Sequence, residues 1–582
     1  MRFVIAIVLF LLAFVSIGYG IAQRTILAGP ASFTASVTTD ASTPITLIDG
    51  ATLHSFEGTQ AITVSGAKKV FVADGRTSDV LAWVGKTSYT KVTFDAVKQK
   101  LTTKRVRGEA DTAPSPVGSD LWDQEFSGTD QLIRRVNVPT DATVIIMSDG
   151  KKAAPDHIAV TWPLDNSAPW SGPLIIGGIG ALLLGLGAFL WALVHARRRR
   201  GPRRRQPRLP RNPKPPQLKR GRTGTQPALT AGAARGRRRN LVAVSLVLGS
   251  TLALSGCSVF GSSGGSSSSA TPTSTSTVPG GAGLQQIAVT APQLKQIVAN
   301  VVQTVTAADA KSDAKLAATR LDGPALQLRV ANYAIRAADS TQPALPAIPQ
   351  GELKVSLPQQ SDTWPRAVLA VIQPTDPKTA PVALMLVQKA PRDNYKVEYL
   401  MTLELGVPKV APATVGAARL LNDNKLGILA PSDLAAAYGD ILIKGDASTY
   451  NDQFSATGDK LRTAVGYAHK QDQKSKLPST ATVAYSNGPG PGESIAFGTN
   501  DSGQIVAVNL DDTETVTPTE AGAAINPQGQ VKLLSGKAQS VKGITATYGM
   551  QLLFYVPPVS KSGAKIQLLG FGQGLISASE VP

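Results

Sequence analysis

The chain has 582 residues, 42% of them apolar, enough for several domains with real cores. Its 59 Lys/Arg against 40 Asp/Glu would suggest a polyanionic partner, but residues 1–196 carry 16 bases and 16 acids and residues 240–582 carry 26 and 24, so the excess belongs to one tract and nucleic acid is set aside. A single cysteine excludes an intramolecular disulfide, and four scattered histidines (His54, His157, His195, His469) offer no zinc spacing, so neither a metal nor a cofactor is expected.

In chain order, residues 1–24 open with FVIAIVLFLLAFVSIGYGIA, about 20 apolar residues and long enough to span a bilayer. No small-x-small cleavage site follows, so it reads as a retained transmembrane anchor. Residues 25–172 carry short β-branched or alternating runs (AITVSG, KKVFVADG, DVLAWVGK, TKVTFD, LIRRVNV, ATVIIMSDG, HIAVTW), which predict an all-β domain, a sandwich or a small barrel. The connection GEADTAPSPVGSDLWDQEF gathers Asp120, Trp122, Asp123 and Glu125, a possible polar surface site. Three carboxylates so spaced would suit calcium or a sugar, although a solvated loop held down by its tryptophan explains them as well, and the calcium-loop pattern is not met.

Residues 173–196 (PLIIGGIGALLLGLGAFLWALVHA) read as a transmembrane helix with small residues at Gly177, Gly178, Gly180 and Gly185 and an interfacial Trp191. The next 44 residues, 197–240, hold 17 Lys/Arg and no acid between Arg197 and Arg239. Such a Pro-rich basic segment is expected to be disordered and cytoplasmic, with attraction to anionic membrane lipids as a consequence.

Residues 241–257 repeat the membrane signal in a shorter form. Four arginines precede about 14 apolar residues ending Leu254-Ser255-Gly256-Cys257. This resembles a bacterial lipoprotein signal, a resemblance that implies a lipobox at Leu254, Ser255 and Gly256 and lipidation at Cys257. It departs from that pattern in starting after 240 residues, so cleavage into two chains and a third transmembrane segment both stay open. Residues 258–283 form a Ser/Gly/Thr linker with coil dimensions of about 25 Å.

The remainder reads as two α+β domains, 284–425 and 426–582, each with helices first and an antiparallel, cup-like sheet second. Thr290-Ala-Pro-Gln293 opens the first with a capping box, and Leu294, Ile297, Val298, Val301, Val302 and Val305 follow at helical spacing. Strands are expected in ELKVSL, RAVLAVIQ, PVALMLVQ and YKVEYLMTLEL, then, after helices at AAAYGDILI and Lys460–His469, in ATVAYS, ESIAFGT, QIVAVNL, GITATYGMQLLFYV and AKIQLLGFGQG. Gly570, Gly572 and Gly574 lie in the last of these with no helix after them, which makes a strand bend the better reading than a dinucleotide fingerprint. The phrases WPRAVLAVIQ, PRDNYKVEYL and SDLAAAYGDIL resemble a family of uncharacterised actinobacterial envelope proteins, and GSDLWDQEF resembles an associated membrane-anchored β module. The basic tract, held on the cytoplasmic side, predicts a cell-membrane protein with residues 25–172 and 258–582 extracytoplasmic and 197–240 cytoplasmic.

No nucleophile elbow, phosphate loop or His-Asp-Cys constellation is present. The expectation is a noncatalytic envelope protein that binds a partner protein, a wall polymer or a lipid. The alternative is an envelope enzyme acting on wall glycan or lipid through carboxylates such as Asp440, Asp446, Asp452 and Asp459.

Overall fold

The computed structural model describes residues 2–40, 42–199 and 286–582, so Cys257, its lipobox and the linker lie outside the described residues. Two units are distinguished, one of residues 1–20 and 172–282 and one of residues 21–171 and 283–582.

Helix α1 (Arg2–Arg24) carries its charges only at its two ends, Arg2 and Arg24. The β module follows, with β1 (Ser32–Thr38), β2 (Ile45–Asp49), α2 (Gly50–Leu53), β3 (Gln60–Arg76), α3 (Thr77–Val84), β4 (Tyr89–Asp95), β5 (Lys100–Val106), β6 (Gln124–Val136), β7 (Ala142–Met147) and β8 (His157–Pro163). The strand order is β1-β8-β3-β7-β2-β4-β5, with β6 on β3. Phe33 of β1, Phe56, Phe94 of β4 and Trp162 of β8 meet with ring centroids 5.1–6.1 Å apart, so the far ends of the sheet curl together into a near-closed barrel. Trp162 is fully buried there and donates its indole N–H to Leu53 O at 2.6 Å.

Two expectations for this module are corrected. AITVSG and KKVFVADG are one strand, β3, kinked where Gly66 takes φ +99° and the register shifts between Ser65 and Lys69. DVLAWVGK is helical rather than extended, so the module is not purely β. Asp79, Val80, Trp83 and Val84 are buried while Leu81 is exposed, a helical face that the β-rich neighbourhood of the sequence disguised.

Helix α4 (Ser171–Arg199) pairs with α1: both are long and apolar enough to cross a membrane. A Cβ on Gly178 would come within 2.6 Å of the Ile17 side chain and one on Gly185 within 3.3 Å of Leu9 and Phe10, so these two glycines set the approach of the helices, while Gly177 and Gly180 face open space. Phe189 packs edge-on against Phe3 and Phe10 at 6.0 and 6.5 Å.

The C-terminal region begins with α5 (Ala291–Lys311), α6 (Ala314–Ala317) and α7 (Gly323–Ala338). The expected capping box is in place: Gln293 N–H donates to Thr290 Oγ1 and Thr290 N–H to Gln293 Oε1. Strands β9 (Gly351–Pro358), β10 (Arg366–Pro374), β11 (Val382–Gln388), β12 (Lys396–Leu403) and the short β13 (Arg419–Leu420) follow. Helices α8 (Leu434–Lys444), α9 (Lys460–Val465) and α10 (Tyr467–Ser475) precede β14 (Ala481–Pro489), β15 (Ile495–Gly498), β16 (Gln504–Pro518), α11 (Gly529–Ser535), β17 (Ile544–Val556) and β18 (Gln567–Glu580).

Helices before strands, twice over, is what the sequence predicts, but the expected pair of separate cups is corrected. One ten-stranded sheet runs β13-β15-β16-β17-β18-β12-β11-β10-β9, with β14 on β16, and crosses the anticipated boundary between residues 425 and 426. The join is narrow, Thr402↔Phe571 and Leu403↔Gly570. A Cβ on Gly570 would stand 2.4 Å from Thr402 O and one on Gly572 2.5 Å from Leu400 O, so the glycines of the last strand are there to let β12 lie against it.

Both wings of the sheet are buried on two faces. Leu369, Met385, Tyr399 and Met401 of one wing pack against Phe497, Ile505, Ala507 and Leu553 of the other. The opposite faces carry α5 to α7 over Val368, Ala370, Leu384 and Leu386, and α8 and α9 over Val506, Val508, Leu552 and Phe554. A strand apolar on both faces cannot sit in an open cup, and this sharing of one central core is why β10 and β11 read as unbroken apolar runs.

Candidate functional site

On β16, Val506, Val508 and Leu510 point into the core beneath α8, and the same face continues as Asp512 and Glu514. Acids on an inward-facing register need a reason, because a buried charge is costly unless paired. Lys470 of α10 supplies part of it: its ammonium donates to Asp512 Oδ2 at 2.5 Å and lies 4.6 Å from the Tyr485 ring centroid. The side chains are 5% and 8% exposed, so the pair is shielded from solvent screening. Asp512 Oδ1 is buried and has no hydrogen-bond partner among the described residues.

These groups line a cavity of about 330 Å³ together with His469, Gln473, Tyr548 and Gln573. Burial pushes the Glu514 carboxyl above its ordinary value, with Asp512 adding to the effect and Lys470 and His469 opposing it. Burial likewise raises the Tyr548 phenol, and the Tyr485 phenol is pushed up to about 12, so both remain hydroxyl donors at neutral pH.

Glu514 and Tyr548 also line a second cavity of about 400 Å³, walled otherwise by Leu477, Val516, Ile525, Val531, Ile544 and Ala546. On the other side Gln573 is shared with a third, about 280 Å³, bounded by Leu321, Leu328, Leu345, Leu400 and Phe571. The result is a polar chamber holding one buried ion pair and one unsatisfied acceptor, adjoined by apolar chambers across the long strands β16 to β18. Ligand sites are built this way, mostly apolar with a few convergent polar groups.

The stretch singled out in the sequence goes elsewhere. Asp120 is buried, not solvated: its Oδ2 accepts from Arg320 Nη1 at 2.5 Å and from Tyr395 N–H at 2.8 Å. Burial raises its carboxyl above the ordinary value against the pull of Arg320 and the Tyr395 N–H. Trp122 is 5% exposed and donates to Pro116 O at 2.7 Å, Glu125 accepts from Gly118 N–H at 2.9 Å, and burial raises Asp123. All four border a polar cleft of about 280 Å³ with Gln293, Asn300 and Arg320, but Asp120 is already committed to its partners.

Three of the other carboxylates weighed for catalysis are already engaged elsewhere. Asp440 pairs with Lys444 and accepts from Ser448, Asp446 accepts from Asn451, and buried Asp459 caps α9 and accepts from Tyr438 Oη. Among the described residues no three His, Cys, Asp or Glu side chains converge as metal ligands. Sequence reasoning passed over Lys470, Asp512 and Glu514 because they lie 42 residues or more apart in part and match no motif. The usable signal was the alternation itself, since QIVAVNLDDTETV places acids where the pattern asks for apolar residues.

The profile of a domain of unknown function, DUF8094, matches residues 285–580. No curated protein and no solved structure matches the chain.

Proposed function

We propose that this chain, which belongs to the DUF8094 family, is a noncatalytic binding protein of an actinobacterial-type cell envelope whose groove over β16 to β18 takes a neutral, hydroxyl-rich amphiphile, a glycolipid in chemical class. The observation that carries this is the adjoining of a polar chamber, with buried Asp512 Oδ1 lacking a donor among the described residues, to a chamber walled by Val516, Ile525, Val531, Ile544 and Ala546. An acyl chain suits the apolar walls. A headgroup bearing O–H donors satisfies Asp512, and the faces of Tyr485 and Tyr548 suit a sugar ring. An anionic headgroup is disfavoured, because Lys470 is already held by Asp512 and Glu514 stands beside it.

The membrane setting of the reading draws on α1 and α4, two helices long and apolar enough to span, and on the basic tract that follows them. In this scheme residues 25–172 and 258–582 are extracytoplasmic, residues 197–240 are cytoplasmic and touch membrane lipids, and Cys257 carries the lipid of a processed lipoprotein segment. Intact mass measurement of the mature C-terminal product checks the last point, since an unmodified Cys257 in a full-length chain would reject it.

The test of the groove uses the full chain, delipidated and incubated with phosphatidylcholine vesicles containing either diglucosyl-diacylglycerol or phosphatidylglycerol. Retention of the glucolipid over the anionic lipid, lost at least tenfold on filling the apolar chamber by Ala546→Trp, is expected. Equal retention of both lipids, or retention unchanged by the substitution, would sink the assignment. Release of free sugar or fatty acid from the probe would replace the noncatalytic reading by an enzymatic one.

A further inference from the structure

Within residues 21–171 and 283–582, the β module and the DUF8094 domain share an interface built from side chains of both. The DUF8094 side contributes three arginines. Arg366, with 0% of its side chain exposed, donates to Asp79 Oδ1 at 2.8 Å and stacks on Trp364 at 3.7 Å. Arg320 holds Asp120, as described above. Arg392 donates to Trp83 O, Val84 O and Thr87 Oγ1 at 2.8 to 2.9 Å. The first two of those acceptors are the last carbonyls of α3, so a guanidinium from one module caps the C-terminus of a helix in the other.

The contact is reciprocal. Arg76 of the β module donates to Ile287 O and Ala288 O. Asn394 accepts from Asp120 N–H and donates to Gly118 O, each at 3.0 Å, and Gln293 donates to Leu121 O at 3.3 Å. Trp364 packs against a cluster of Trp83, Trp122, Leu121 and Val80 on the outer face of the barrel sheet. Arginine and tryptophan anchors around complementary buried charge are the features of a recognition surface between proteins rather than of a chance contact along a tethered chain.

We propose that α3 and the 118–123 loop form a docking surface for the DUF8094 domain, strong enough to hold residues 25–172 and 286–582 together as a two-chain complex once the connection between them is cut. A DUF8094 domain made without an attached β module would then recruit one in trans, its partner recognised by two buried carboxylates and the Trp83 and Val84 carbonyls at the end of α3. The inference is independent of what the groove over β16 to β18 binds.

A protease site placed between Ser268 and Ser269 of the full chain, purified in detergent, provides the test. After cleavage the C-terminal product should co-elute with the N-terminal one at micromolar concentration. Asp120→Asn combined with Arg392→Ala, which remove contacts at two separate points, should weaken retention at least a hundredfold, while uncleaved variant and wild type show the same far-ultraviolet dichroism. Arg392→Lys should fall between the two, since it keeps the charge but not the forked donors. Separation of the wild-type halves on cleavage would overturn the proposal, as would co-elution of the variant halves as firm as the wild type's.

Discussion

Replacing Asp74 by Asn should change how the β module responds to pH. Asp74 lies on β3 and is 6% exposed. Burial, with the Asp123 charge adding to it, pushes its carboxyl from 3.8 to about 6. At 1.36 kcal/mol per pKa unit, that difference amounts to about 3 kcal/mol between the protonated and the fully ionised regimes. The folded carboxyl holds its proton more tightly than the unfolded one. Its contribution to stability is therefore fully present below about pH 4 and is lost as pH rises through about 6. Asparagine has no proton to lose, so the stability of the Asn variant relative to wild type should climb by up to about 3 kcal/mol between pH 4 and pH 8. For a module of this size the gain corresponds to roughly 6–12 °C in melting temperature. Thermal melts of the full chain in detergent, followed by tryptophan fluorescence at half-unit pH steps, read this directly. Parallel melting profiles for wild type and variant would refute the reasoning, whatever the constant offset between them. Asp123→Asn provides a second check, because removing that neighbouring charge should move the wild-type midpoint to lower pH.

Lys470→Met should destabilise the DUF8094 domain by about 3–5 kcal/mol, since it strands a buried Asp512, whereas Lys470→Met with Asp512→Leu should recover most of the loss; denaturant melts in which the double variant is no better than the single one would contradict a paired-charge origin. Gly572→Val should cost at least about 1–3 kcal/mol, seen as a lowered melting temperature, because its Cβ would fall 2.5 Å from Leu400 O at the join of β12 and β18; an unchanged melting temperature would show that the join tolerates separation.

Much of the chain was legible because the signals are local. Two apolar helices, the capping box at Thr290 and Gln293, the period-two strands and the helices-then-strands order all follow from side chains within a few residues of one another. The misreadings occurred where distant contacts outweighed local pattern. Val80, Trp83 and Val84 suit a strand by composition, and α3 is helical where its buried face packs on the barrel sheet and its last carbonyls meet Arg392. Asp120, Trp122, Asp123 and Glu125 drew notice as a chemical cluster because they are neighbours in sequence. What Asp120 does is set by Arg320, 200 residues away.

By itself, then, the sequence determined most of the elements, α3 excepted: their type follows from periodicity, capping and chain length, quantities defined within one segment. It also determined that the charge excess is confined to a single tract, since that is a matter of counting. Only the tertiary structure decided that both helix-and-strand blocks share one sheet, that Lys470 meets Asp512 beside Glu514, and that three arginines of one module satisfy the carboxylates and helix end of another. The physical reason is that pairing register and buried charge compensation are properties of surfaces in contact. A strand's residues specify which face is apolar, but not which of many apolar faces will cover it, nor which distant cation will make an inward-pointing acid tolerable.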